Sequence, residues 1–333
     1  MVIMCDQDYV HNHKKLLNPL DHETCVLRMC EYLVHMNHLQ LVSEVFPFVD
    51  HGLGVSDIER PYRQDRRSAQ KLTFPKVQEC LEALINGTVQ GYPPNITLLG
   101  TKMYRIIIWY YVIFGSSVAS LTNRIKYAAI VTHFLGIWQN WVYRHRNLKL
   151  SVNFISRETY TDVIFLSFFA VMLIVYMRDV PKEDCRLEIN GSDVLEDFWS
   201  KNGQWVGNDH NYTFRDLRRN TSHMIHLEEI RVDPSAPEFA NPHPKQESIW
   251  GQQYPRPFNM PNLKEYPAIG EEIEAWKQGI KIARRLARSV GMIPTVSAQD
   301  KTITMMTMTV MVIRKVKVLV AVWITMANII RQM

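Results

Sequence analysis

Two short constellations in this chain carry residue types that could do chemistry. The first is Asp8-Tyr-Val-His11-Asn-His-Lys14-Lys15-Leu-Leu-Asn18, directly after the apolar run Val2-Ile3-Met4. A strand that ends in a carboxylate and gives way to a basic helix presents a metal ligand at a sheet edge. The second is Gly191-Ser192-Asp193-Val194-Leu195-Glu196-Asp197-Phe198. On a helix, Asp193, Glu196 and Asp197 share one face and could hold a divalent cation together. A structural reading stands beside the chemical one, because Asp193-x-x-Glu196 is also the pattern of a helix N-cap with its reciprocal partner.

A third segment suits nucleic acid. Between Trp199 and Arg219, Lys201, Arg215, Arg218 and Arg219 occur together with Trp199, Trp205, Tyr212 and Phe214. Cations for phosphates and rings for bases are the two things such binding needs. Lys14, Lys15, Arg66 and Arg67 could add to it, and the contact would weaken steeply with salt. The same mixture also describes a solvated helix face over a core. Cys25, Cys30, His35 and His38 invite a zinc reading, but on one helix at 100° per residue Cys25 and Cys30 diverge by about 140°, so the four cannot converge. No GxxxxGK[ST], GxSxG or HExxH pattern occurs. NTP hydrolysis, serine hydrolysis and zincin chemistry are left without support.

Taken in order, the two acidic constellations resemble the RNase H-like transposases of the P-element and THAP-type group. There the second catalytic aspartate sits in an Asp-x-x-His-x-x-Lys pattern ending in Arg-Asn, matched here by Asp8, His11, Lys14 and Asn18, with Leu17 in place of the arginine. The family's later Asp-x-x-Glu-x-x-Phe helix is matched by Asp193 and Glu196, with Trp199 at the aromatic position and Asn202-Gly203 and Gly207-Asn208 in the turn that follows. The resemblance covers roughly residues 1 to 230. It implies that Asp8 and Glu196, with Asp193 beside them, are the catalytic and metal-holding carboxylates of a two-metal site. Mg2+ or Mn2+ there would activate a water or 3′-hydroxyl and stabilise the leaving oxygen. It implies DNA as partner, whether transposon ends or non-specific sequence, contacted by His11, Lys14, Lys15, Lys201, Arg215, Arg218 and Arg219. Self-association and a nuclear location are further expectations of the resemblance, and no small-molecule cofactor is indicated. The family's first aspartate precedes the second by a strand, whereas only seven residues precede Asp8. The expectation is therefore a core truncated at its N-terminus, which does not cut or join DNA unless upstream sequence or a partner completes the site.

Several elements must position these residues. From His22 to Val45 the apolar residues Val26, Leu27, Met29, Leu33, Val34, Met36, Leu39 and Val42 recur at spacings of three and four, predicting one amphipathic helix. Residues 51 to 70 read as polar and turn-rich, and Phe74 to Ile85 as a helix broken by Gly87 to Pro94. Three apolar blocks follow, Tyr104 to Leu121, Tyr127 to Tyr143 and Val163 to Met177. The most strongly apolar run, between Asp162 and Arg178, is fifteen residues, shorter than the roughly 20 that a bilayer core demands. Buried helices are expected ahead of membrane spans, although 162 to 178 is where a hydropathy scan would point. Residues 234 to 267 hold eight of the 16 prolines and read as an extended strap. Glu271 to Val290 is helical again, acidic in its first turn and basic later as the helix dipole favours, and is read as a solvated surface helix.

Composition bounds the rest. The 333 residues are 47% hydrophobic and 21% charged, the balance of a folded chain, and five cysteines are too few for a disulfide framework. Acids at positions 6 and 8 interrupt any secretory leader at the start. The net charge of +5 is concentrated in residues 302 to 333, which hold four basic residues and no acid. Those residues also hold six of the 16 methionines in a Met-Thr alternation. Because Met and Trp codons end in G, the neighbouring frame encodes Asp at Met305-Met306, Met306-Thr307, Met308-Thr309 and Trp323-Ile324, and Gly at Met311-Val312 and Met326-Ala327. A shifted-frame product and a genuine β-prone or membrane-associating tail both fit this segment.

The fold class expected is mainly α, a partial RNase H-like α/β domain interrupted by a large α-helical insertion. Its parts are a core fragment at 1–20, the insertion at 21–186, the last RNase H-like helix and basic segment at 187–232, a Pro-rich strap at 233–267, a surface helix at 268–292 and the atypical tail at 293–333. The competing reading is a membrane-associated helical protein.

Overall fold

The computed structural model describes residues 9–22, 24–59, 66–116, 118–179, 185 and 262–293. In chain order these form α1 (Tyr9–Leu17), a 3-10 turn, β1 (Leu27–Met29), β2 (Tyr32–Val34), α2 (Asn37–Val45), α3 (Phe48–His51), α4 (Val55–Glu59), α5 (Arg66–Lys71), α6 (Pro75–Asn86), α7 (Leu99–Gly115), α8 (Leu121–Arg144), α9 (Leu150–Asn153), α10 (Arg157–Asp179) and α11 (Glu271–Ser289). The described structure is mainly α. Its strands are the two of one antiparallel hairpin, with Leu27 opposite Val34 and Met29 opposite Tyr32.

Helix α8 is the axis of the packing, with α7, α10 and α11 laid against it. Its apolar residues go all the way round, and accordingly Leu121, Ile125, Ala128, Ala129, Phe134, Leu135, Trp138 and Val142 are all buried. The serine at 120 caps its start, the side-chain oxygen accepting from the Asn123 amide at 3.4 Å. Helix α7 is buried almost throughout and is tied at both ends by glycine. A Cβ at Gly100 would meet the Leu33 carbonyl oxygen at 2.8 Å, and one at Gly115 would sit 2.0 Å from the Tyr9 ring. Tyr9 stacks on Tyr111 at 5.0 Å, donates its hydroxyl to the carbonyls of Tyr111 and Val112, and accepts at its own carbonyl from the Tyr111 hydroxyl at 2.9 Å. The buried Arg105 donates to Leu72 O, Phe74 O and Gln78 Oε1 at 2.7, 2.9 and 3.0 Å, which locks α7 to the start of α6.

Three expectations from the sequence are corrected. Residues 22 to 45 are a hairpin followed by a helix, because the chain reverses at Cys30 with φ +55°. The apolar spacing fits both outcomes: Leu27 and Met29 are buried at period two, and Leu39 and Val42 at period three. The stretch 51 to 70 contains α4 and the start of α5 among its turns, where Asp57 accepts from Ser68 Oγ at 2.9 Å and from Lys71 Nζ at 2.7 Å. The helix at 271–289 is only half solvated, since Ala275, Trp276, Gly279, Ile280, Ala283 and Ala287 are buried. A Cβ on Gly279 would lie 2.4 Å from the Lys126 carbonyl oxygen, so α11 approaches the α8 backbone directly.

The three apolar blocks form α7, α8 and α10, the first ending at Gly115 rather than 121. Among the described residues α10 is the one helix long and apolar enough to cross a membrane, and half of its most apolar window is buried inside the protein. Residues 9–20 pack against these helices: Leu16, Leu17 and Leu20 are buried, and the Tyr104 hydroxyl donates to Leu16 O.

Candidate functional site

The carboxylates singled out for metal chemistry, Asp8, Asp193 and Glu196, lie outside the described residues, as do Lys201, Arg215, Arg218 and Arg219. The described part of the first constellation is α1, which begins one residue after Asp8 and contains no acid. It places His11, Lys14 and Lys15 half-buried on one short helix. The Lys15 ammonium pairs with Asp162 of α10 at 2.9 Å, so this lysine holds α1 against α10 as well as carrying charge. Among the described residues no group of three or more His, Cys, Asp and Glu is placed to hold an ion. The Mg2+ or Mn2+ expectation thus rests entirely on Asp8, Asp193 and Glu196.

The geometric premise of the zinc argument does not survive, because Cys25, Cys30, His35 and His38 do not share a helix. Cys25 precedes β1, Cys30 forms the hairpin turn, His35 links β2 to α2, and His38 lies in α2. Cys25 and His38 are engaged locally. The Cys25 thiol donates to Val152 O at 3.4 Å, and burial pushes its pKa up. His38 Nδ1 lies 2.7 Å from Thr101 Oγ1, and burial, then His35, pulls its pKa down.

The fold instead gathers a site that no sequence spacing groups. A cavity of ≈ 480 Å³ is lined by Arg28, Cys30 and Glu31 of the hairpin, by Trp141 and residues 145–148 at the end of α8, and by Gly291 just past α11. Trp138 holds the two ends of it together, its indole N–H donating to Arg28 O at 2.7 Å. Trp141 and His145 stand one turn apart with ring centroids 4.1 Å apart at 40°. His145 Nδ1 lies 2.7 Å from Trp141 O. A carbonyl only accepts, so Nδ1 carries a proton. The lining carries two cations, Arg28 and Arg146, and one carboxylate, Glu31, which pushes the pKa of the neighbouring Tyr32 hydroxyl up. Burial and then Glu31 push the Cys30 thiol up to about 11, so at neutral pH it is an unreactive thiol rather than a nucleophile.

A second polar cluster lies between α8 and α11. His133 packs edge-on against Trp276 at 5.7 Å, and Trp276 stacks on Phe168 of α10 at 5.5 Å. The buried atoms His133 Nε2, Trp276 Nε1 and Arg284 Nε have no hydrogen-bond partner among the described residues. Burial, followed by the Arg284 charge, pulls the His133 pKa down to about 4, which keeps the ring neutral.

No family model, no curated protein and no solved structure matches the chain.

Proposed function

We propose that this chain is a transposon-derived protein resembling the catalytic region of P-element and THAP-type transposases, that it has no strand-cutting activity as it stands, and that nucleic-acid binding is what it retains. The observation that carries the reading is the order of its motifs. Asp8-x-x-His11-x-x-Lys14 leads into Asn18, and Asp193-x-x-Glu196 follows some 180 residues later with a Gly/Asn turn and the basic segment at 215–219 behind it. Between them runs a stretch that is mainly helical where it is described, which is the character of the insertion in that family. Under this reading an RNase H-like core supplies the strand before Asp8 and the helix bearing Glu196, and the protein acts in the nucleus. Under this reading Asp8 and Glu196 are two carboxylates of a two-metal site, and such a site needs a further carboxylate to bridge and balance its metal pair during in-line displacement.

The test is incubation of the purified chain with supercoiled plasmid and Mg2+ or Mn2+, beside a titration of labelled DNA at several salt concentrations. The expected result is no nicking, with binding that weakens as salt rises. Nicking that disappears in Glu196→Gln would overturn the inactive assignment and make the chain a working nuclease or transposase. Absence of salt-sensitive binding would overturn the retained activity.

A further inference from the structure

The acids of α11 are confined to its start. Glu271, Glu272 and Glu274 occupy the first turn, and from Lys277 onward the helix carries no acid. Lys277, Lys281, Arg285 and Arg288 are all exposed. At about 100° per residue they fall within roughly 80° of one another, with about 6 Å of rise between the first three. They make a single basic ridge. Glu274 shares that face one turn earlier, so the ridge starts at Lys277. Three residues after Arg288 the chain reaches Gly291, with φ +82°, on the wall of the cavity that Arg28, Trp141, His145 and Arg146 line. The ridge therefore leads toward a concave site with two more guanidinium groups and an accessible aromatic pair.

We infer that this ridge and cavity form a binding surface for single-stranded nucleic acid, with phosphates along Lys277, Lys281, Arg285 and Arg288 and a base held against Trp141. The inference rests on the nucleic-acid part of the proposed function and is independent of the transposase ancestry. Cations in a row match a regularly charged polymer. The ring in a cavity adds a requirement that a duplex does not meet, because its bases are already stacked on each other, whereas a single strand offers each base a free face. An anionic membrane is the other polymer-like anion that a basic amphipathic helix meets, but it requires the apolar face of that helix to enter the lipid. On α11 that face, Ala275, Trp276, Ile280, Ala283 and Ala287, is buried in the protein against α8 and α10. The cavity lining also holds one carboxylate, Glu31 of the hairpin, against the two guanidinium groups of Arg28 and Arg146.

The experiment uses the full chain and a fluorescein-labelled 20-nucleotide single-stranded DNA of mixed sequence, followed by anisotropy between 50 and 200 mM salt, with the matching duplex and phosphatidylserine vesicles as competitors. Wild type is expected to bind the single strand more tightly than the duplex. Replacing the ridge cations together (Lys277→Gln, Lys281→Gln, Arg285→Gln, Arg288→Gln) lowers affinity at 50 mM salt by at least tenfold. It also reduces the slope of log K against log salt by about 3, at roughly 0.7 for each lost single-strand phosphate contact. The charge-preserving set Lys277→Arg, Lys281→Arg, Arg285→Lys and Arg288→Lys retains binding, which separates charge from helix integrity. Trp141→Ala weakens the single strand by roughly tenfold and leaves the duplex unchanged, which is the base-stacking share. Wild-type affinity and salt slope in the neutralised variant, with its helix content intact, would overturn the inference and leave the proposed function standing. So would vesicles outcompeting the DNA, or an unaltered single-strand affinity in Trp141→Ala. Failure of the wild type to bind either DNA would overturn both.

Discussion

The two long faces of α8 are built on different principles. Toward α7 and the hairpin, large side chains interlock and their polar atoms find partners. Tyr104 stands edge-on to Trp138 at 5.6 Å, Trp138 to Phe154 at 4.7 Å, and the Trp138 N–H reaches Arg28 O. Toward α11 the backbones come closest at small residues, Gly279 against Ala129 and the Lys126 carbonyl, and the buried polar atoms of His133, Trp276 and Arg284 stay unmatched among the described residues. An unsatisfied buried polar group costs about 1–3 kcal/mol, a cost that the second face carries at His133, Trp276 and Arg284. One face fixes the fold. The other docks a helix that the sequence delivers from more than 120 residues after α8, and its ion pair, Arg178 to the fully buried Glu272 at 3.2 Å, supplies register at the entry end.

The largest effect that would sharpen this contrast is loss of the docking itself. In Gly279→Leu the new side chain has to enter where even a Cβ meets the Lys126 carbonyl oxygen at 2.4 Å, and helix backbone cannot yield to it. Overpacking of this kind costs upward of about 3 kcal/mol when rotamers offer no escape. Hydrogen exchange should show residues 271–289 losing protection while 99–144 keep theirs. Equal loss in both would mean that the two faces form one cooperative unit, and the distinction drawn between them would fail.

Acid should undo the same face next. His133 titrates near 6.5 in the unfolded chain and near 4 in the folded protein, because burial and Arg284 oppose its charge. Below 6.5 the unfolded state therefore binds more protons. Stability present above pH 6.5 is lost as pH falls, until the folded ring also protonates near 4, for a total of at most about 3 kcal/mol. His133→Phe should flatten that part of the stability profile. A profile unchanged by the substitution would place the acid sensitivity elsewhere.

One substitution applied to both faces isolates the N–H group. Trp138→Phe removes a donor that Arg28 O needs, whereas Trp276→Phe removes a donor that has no acceptor among the described residues. Both lose similar ring area, so the difference between them is the hydrogen bond and should amount to about 1–3 kcal/mol, with Trp138→Phe the worse. Equal losses in urea unfolding would contradict the assignment of a satisfied and an unsatisfied face.

The sequence showed the long helices clearly and the site hardly at all, for physical reasons that differ. α8 and α10 have runs of apolar residues too long for strands, and α6 carries Pro75 at its start and a left-handed Gly87 at its end, so their existence follows from local pattern. The hairpin at 27–34 was hidden because its strands have three residues each and Cys30, at positive φ, is not a residue that advertises a turn. The basic spacing on α11 was visible, yet it read as a complement to the helix dipole, since nothing local says which side of a helix another element will cover. The cavity was illegible altogether. Arg28, Trp141 and Gly291 come from segments more than 100 residues apart, and only the packing around Trp138 makes them neighbours.

The smallest effect concerns Lys15, assigned to nucleic acid from its motif and found paired with Asp162. Its side chain is 31% exposed, and an ion pair with that much solvent contributes within about 1 kcal/mol after screening. Lys15→Ala should therefore lower stability only slightly, and by no more in low salt than about that amount. Lys14, one position away on α1, serves as the comparison, because it carries the same charge in the same motif. If α1 contacts DNA as the motif implies, Lys14→Ala should weaken binding and reduce the salt slope by close to one phosphate contact, while Lys15→Ala should act mainly through the loosened α1–α10 contact. Asp162→Asn separates the two roles. It removes the pair but leaves the Lys15 charge, so it should cost as little stability as Lys15→Ala and leave DNA affinity unchanged or raised. Equal weakening of DNA binding by Lys15→Ala and Asp162→Asn would show that α1 has to be anchored on α10 for the surface to work, and that Lys15 acts as the anchor rather than as the contact.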